Sequence, residues 1–168
     1  MGSGASRYVS LPQLAKEIAA GLPDGDRRRL RDALQAAADA LSDGEVHRLR
    51  LAVEDSEKSL GACHPSTLRA VSQLGRALSK QGEHSEAHAL HRRALEGRDR
   101  RLGKDHPDTL ASANDVGHAL KDMGNEKEAE GFFRRAVEGA ERVLGLDHPK
   151  TMSFSQSLAE LLEMAKSV

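Results

Sequence analysis

Leu102-Gly103-Lys104-Asp105-His106-Pro107-Asp108-Thr109-Leu110 decides the reading of this chain, because the same frame stands in it twice more. Upstream it is Leu60-Gly61-Ala62-Cys63-His64-Pro65-Ser66-Thr67-Leu68; downstream it is Leu144-Gly145-Leu146-Asp147-His148-Pro149-Lys150-Thr151-Met152. Both intervals are 42 residues, and units 60–101 and 102–143, aligned without gaps, share 18 of 42 positions. A period of this size marks a repeat architecture, in which each unit buries its apolar face only by stacking on its neighbours.

Each unit reads as two helices. Proline after the histidine suits a first helical turn, where its missing N–H has no partner to lose. From there Leu68, Val71, Leu74 and Leu78, and then Leu110, Ala113, Val116 and Leu120, follow the stripe of an amphipathic helix. Gly82 and Gly124 close these helices in the manner of C-terminal glycines. A second helix follows, with Ala87, Leu90, Ala94 and Leu95, or Ala129, Phe133, Ala136 and Val137, inward. Gly75 and Gly117 recur inside the first helices, where glycine costs on the order of 1 kcal/mol, so close packing is the expected reason. Gly117→Leu should then be severe and Gly117→Ala mild, because Ala159 fills the matching place in the third unit.

Composition agrees with an all-α chain. Ala (24) and Leu (22) supply 46 of 64 hydrophobic residues, whereas Val and Ile together number nine. Ala and Leu favour helix, and the β-branched residues that favour strands are scarce. The four aromatics, Tyr8, Phe132, Phe133 and Phe154, are too few for a base-stacking platform. A net charge of −1 gives no field toward nucleic acid or an anionic membrane. One cysteine, Cys63, allows no internal disulfide, and no apolar run reaches the roughly 20 residues that span a bilayer. The N-terminus has no basic stretch followed by an apolar one, so no secretory signal is read there. These features lead us to expect an intracellular, cytoplasmic protein.

The residues at fixed offsets resemble the tetratricopeptide repeat: Val116-Gly117, Leu120, Gly124, Ala129, Phe133 and Ala136, and Leu74-Gly75, Leu78, Gly82, Ala87 and Ala94. His91 departs from the pattern, standing where an aromatic is usual. The 42-residue period with its Leu-Gly-x-x-His-Pro-x-Thr-Leu linker is similar to the kinesin light chain variety, over about 60–168. No sustained heptads occur, so the likeness does not extend to a heavy-chain-binding coiled coil. The resemblance implies a right-handed superhelical solenoid of antiparallel helix pairs and a non-enzymatic protein–protein interaction module, a scaffold or adaptor.

The flanks are less regular. Residues 1–10 are expected as a flexible tail and 11–59 as N-terminal helices: a short one over 11–22, then a degenerate repeat with helices at 24–41 and 42–59. The array itself divides into 60–101, 102–143 and a partial 144–168. Met1-Gly2-Ser3-Gly4-Ala5-Ser6 fits a myristoylation pattern, with Arg27, Arg28 and Arg29 as a basic companion, and equally fits an added cloning leader. Membrane contact is expected only if Gly2 is lipidated.

Other constellations read as structure rather than chemistry. The three His-Pro pairs lie too far apart for one ion and read as helix starts. His84, His88 and His91 have a zinc-compatible spacing, but the next unit carries Glu126, Glu130 and Phe133 there, and no fourth ligand is evident. No Gly-x-Ser-x-Gly turn, Walker loop or His-Glu-x-x-His is present, so no catalysis, cofactor, metal or small-molecule substrate is expected. The basic run Arg92, Arg93, Arg98, Arg100 and Arg101 reads as a solvated convex face.

The repeat family's groove-facing positions carry over to Arg69, Ser72, Arg76 and Ser79; Ala111, Asn114, His118 and Lys121; and Ser153, Gln156, Glu160 and Glu163. The expected binding set is Arg69, Ser72, Arg76, Asn114, His118, Lys121, Gln156 and Glu160. Amides can clamp a peptide backbone, and Arg69, Arg76 and Lys121 favour carboxylates. The implied ligand is an extended acidic peptide, as for the kinesin light chain repeats. The alternative is a structural subunit buried permanently in a larger assembly through Leu158, Leu161, Leu162 and Met164 of the unpaired C-terminal helix.

Overall fold

The computed structural model describes residues 24–166, which are helical apart from short linkers. Six helices follow one another: α1 Asp24–Leu60, α2 Pro65–Gln81, α3 His84–Leu102, α4 Pro107–Asp122, α5 Glu126–Leu144 and α6 Pro149–Lys166. The tail expected at 1–10, Gly2 with it, and the short helix expected at 11–22 lie outside the described residues. The described residues fall into two compact units that divide between Asp43 and Gly44.

The repeated linker is helix-capping chemistry. His64 Nδ1 accepts the amide proton of Ser66 at 3.2 Å, His106 Nδ1 that of Asp108 at 3.1 Å, and His148 Nδ1 that of Lys150 at 3.1 Å. Each imidazole thus satisfies a first-turn amide that the helix itself leaves free. At the other end Gly82 adopts φ 85°, ψ 3°, and the Glu83 amide donates to Leu78 O at 3.0 Å, closing α2. That left-handed conformation is open to glycine at little cost. Positive φ recurs at Gly61, Gly82, Gly103, Gly124 and Gly145, so a glycine turns the chain at every helix junction from 61 onward.

Within 44–168 the helices stack in sequence, α2 on α3, α3 on α4, α4 on α5 and α5 on α6. One core joins Val46 and Val53 to Val71, Leu74, Leu78, Ala87 and Ala94; a second joins Leu110, Val116, Leu120, Phe133 and Ala136 to Phe154 and Leu161. All eight apolar positions assigned to the two first helices are buried. Glycines let the helices approach: a Cβ on Gly75 would lie 2.7 Å from His91 Cε1, and one on Gly117 2.7 Å from Phe133 Cε1. Gly97 against Leu68, and Gly139 against Leu110, repeat the device between second and first helices.

The N-terminal flank differs from expectation. The helices anticipated at 24–41 and 42–59 are one helix, α1, of 37 residues. Register with the later repeats places a break between 41 and 42, but the backbone stays helical there, through Gly44, and the chain turns at Gly61. Leu34 and Leu41, part of the expected apolar stripe, are exposed. The stretch 44–60 nevertheless behaves as a second helix in register. Glu57 pairs with Arg93, and Asp99 with Arg135 at 2.5 Å, so an acid–base pair recurs one repeat later at the same 36-residue separation.

Candidate functional site

A cavity of about 500 Å³ opens between the first helices of successive repeats. α2 contributes Arg69 and Arg76, α4 contributes Asp108, Asn114 and Asp115, α3 sends Arg98 and Arg101 from its last turns, and Phe154 of α6 closes one side. Leu68 and Leu102 complete an apolar wall.

Arg98 organises the floor. Its guanidinium donates to Ser72 Oγ at 3.0 Å, to Ser112 Oγ and to Leu68 O at 3.4 Å, tying α3 to both neighbouring first helices. Burial lowers its pKa, and Asp108 and Asp115 counter that effect; guanidinium stays charged throughout the working range. Burial pushes the Asp115 carboxyl up, while Arg76 and Arg98 pull it down. Asp108 pairs with Lys150 at 3.7 Å. Among the described residues, none of the four lining arginines has an ion-pair partner.

Arg69, Arg76 and Asn114, three of the eight residues expected to bind, are brought together here. Arg69 and Arg76 are exposed, whereas Asn114 retains only 8% of its accessible surface and its Oδ1 has no hydrogen-bond partner. Ser72 is fully buried; its hydroxyl donates to Leu68 O at 3.0 Å and accepts from Arg98, leaving nothing for a ligand. The other four do not line the cavity. His118 is half-buried, with Nε2 3.1 Å from Ser157 Oγ and its ring edge-on to Phe133 at 5.0 Å. Burial, with Lys121 beside it, lowers its pKa. Lys121 is half-buried on the same helix, and Gln156 donates to Glu160 at 3.0 Å on the exposed side of α6.

Arg98 corrects the reading of the basic run as a convex, solvated face. Arg93 is paired outside with Glu57, but Arg98 turns inward and Arg101 lines the cavity. The signal was present: the residue aligned with Arg98 one period later is Ala140, fully buried. Asp108, Asp115 and Phe154 also line the cavity, from first-helix positions other than the four offsets that the repeat family uses for its groove.

The histidine row does not converge. His91 is buried against Gly75, and burial drives its pKa down to about 4, with Arg76, His88, His118 and Arg98 adding repulsion. His84 Nδ1 lies 3.7 Å from Asp122. Among the described residues no group of three His, Cys, Asp or Glu is placed to hold a metal ion, and no helix is long and apolar enough to cross a membrane.

The tetratricopeptide repeat family matches the sequence at residues 67–108 and 109–150, and the chain belongs to that family. Its class is therefore that of a protein–protein interaction module built as an all-α solenoid. The fold is similar to the nearly identical TPR-like repeats of a protein assigned as a kinesin light chain in Podosopora anserina, at 24% identity and TM-score 0.64, over 93% of this chain and 76% of that one. A second similar structure is BtubC (BKLC) from P. vanneervenii, at 19% identity and TM-score 0.65, over 90% of this chain and 61% of that one. No curated protein matches the sequence.

Proposed function

We propose that the array binds an extended acidic peptide along its first helices, with Arg69, Arg76 and Asn114 as contacts. The observation that carries this reading is the cavity itself: among the described residues its four arginines have no carboxylate within ion-pair distance, three of them keep an open fork, and a buried amide oxygen beside them lacks a donor. A buried acceptor left unpaired costs about 1–3 kcal/mol, which a backbone N–H from a bound peptide would recover. Unpaired guanidinium forks suit carboxylates, which they can bind through two parallel hydrogen bonds. Such a module works as a scaffold or adaptor and needs no catalytic group.

The subunit reading has less behind it. Leu161 is buried in this chain's own core and Leu158 packs against it, so the last helix already covers part of its apolar face.

The test is fluorescence anisotropy of the full chain with degenerate nonapeptide libraries, one carrying fixed Glu and one fixed Lys. The Glu library should bind more than tenfold tighter. Arg69→Glu with Arg76→Glu should abolish that preference at an unchanged melting temperature, because both side chains are exposed. Equal binding of the two libraries, or full affinity in the double variant, would overturn the reading.

A further inference from the structure

The cavity holds four arginines against two carboxylates, an excess of positive charge that one ligand carboxylate would not balance. Asp108 is shared with Lys150, so Asp115 and a part-engaged Asp108 oppose Arg69, Arg76, Arg98 and Arg101. The four arginines are not equivalent. Arg98 is committed to Ser72, Ser112 and Leu68 O, and so acts as a fixed charge in the floor. Arg76 donates only its Nε, to Ser72 O at 3.4 Å, leaving its terminal fork free. Among the described residues, Arg69 and Arg101 have no hydrogen-bond or ion-pair partner at all. Three open forks thus face one volume of about 500 Å³ whose wall includes Leu68, Leu102 and Phe154.

An apolar wall lowers the local dielectric and strengthens each charge–charge contact. A carboxylate supplies one negative charge and two acceptor oxygens. A phosphorylated serine or threonine supplies about −1.5 to −2 charge and three acceptor oxygens, and clusters of arginine are the usual means of holding it. Asn114 specifies what must accompany that anion. Its buried Oδ1 requires a hydrogen-bond donor, which a phosphate dianion lacks and a peptide backbone has.

We infer that this cavity is a phosphoresidue pocket: it seats a phosphoserine or phosphothreonine of the bound peptide on Arg69, Arg76 and Arg101, with Asn114 taking an adjacent backbone N–H. The inference rests on the peptide-groove reading and narrows its ligand from acidic to phosphorylated. No covalent step is involved. Partner binding would then be switched by phosphorylation of the partner, through the charge it adds.

Four immobilised nonapeptide libraries test it on the full chain, identical but for a fixed centre of Ser, phosphoserine, Glu or Glu-x-Glu. The phosphoserine library should retain the protein more than tenfold better than Ser, and several-fold better than either Glu library. Arg76→Gln with Arg101→Gln should bring phosphoserine retention down to the Glu level, while circular dichroism and melting temperature stay those of the parent. Inorganic phosphate at the concentration of the peptide should displace little. If a Glu library matches phosphoserine while both exceed Ser, the phosphoresidue pocket is refuted and the acidic-peptide groove stands. If no acidic library exceeds Ser, the groove reading fails with it. Complete displacement by equimolar inorganic phosphate would show an anion site without peptide recognition and would also overturn the inference.

Discussion

Gly117 lies directly beneath the Phe133 ring: a Cβ there would come within 2.7 Å of Cε1 and 2.8 Å of Cδ1. The ring is fully buried in the core shared by α4, α5 and α6, so it cannot swing aside freely. The expectation that Gly117→Ala is mild is therefore corrected. Ala159 was a poor guide, since it is exposed on α6 and meets no such limit.

Glycine substitutions should separate the two effects. Gly117→Ala gains up to about 1 kcal/mol in helix propensity but overpacks a closed site, at about 1–3 kcal/mol. The net result should be destabilising, with Gly117→Leu far worse. Gly131→Ala, in α5 with nothing within 4 Å of its Cβ, should be stabilising by up to about 1 kcal/mol. Urea unfolding of the three variants reads all signs; a Gly117→Ala protein as stable as the parent would show that the helices are less closely packed.

Acid should weaken the fold through His91. Its native pKa is about 4 against 6.5 for the free side chain, so the unfolded chain takes the proton first. Stability is therefore full above about pH 6.5, falls as pH drops through the window, and loses nothing more from this group below about 4. The His91 share should be about 3 kcal/mol. His91→Phe, which reproduces the Gly117–Phe133 pairing at Gly75, should flatten the profile between pH 6.5 and 4. His118 is shifted in the same direction, so the difference between the two proteins isolates His91. Parallel pH profiles would rule this account out.

The paired acids and bases of the second helices should matter little singly. Asp99 and Arg135 retain 24% and 30% of side-chain exposure, so Asp99→Asn should cost no more than about 1 kcal/mol, and less in high salt. A salt-independent loss of several kcal/mol would mean that the pair does more than link neighbouring repeats.

The fold was legible where sequence repeats encode backbone geometry. Leu-Gly and His-Pro each fix a turn or a cap, so α2 to α6 begin and end where their residues say. The break expected between 41 and 42 follows from register with the later repeats, but register does not require a turn, and the chain there stays helical through Gly44. The site was half legible. Arg69, Arg76 and Asn114 follow from helix offsets, but Arg98 was read by its charge rather than by its register with Ala140. Ser72 fails for the converse reason: helix offsets put it on the right face, but its hydroxyl is buried and already used by Leu68 O and Arg98. The Glu57–Arg93 and Asp99–Arg135 pairs depend on how successive repeats are stacked, a relation between helices that no single helix pattern contains.

The central claim is that a peptide seats on the first helices, over Arg69, Arg76 and Asn114. Amide hydrogen exchange of the full chain, with and without the tightest-binding acidic library peptide, tests it most directly. The account predicts added protection in α2 and α4, residues 65–81 and 107–122, with the exposed faces of α3 and α5 unchanged. Protection confined to α5 and α6, with α2 and α4 exchanging as in the free protein, would contradict it.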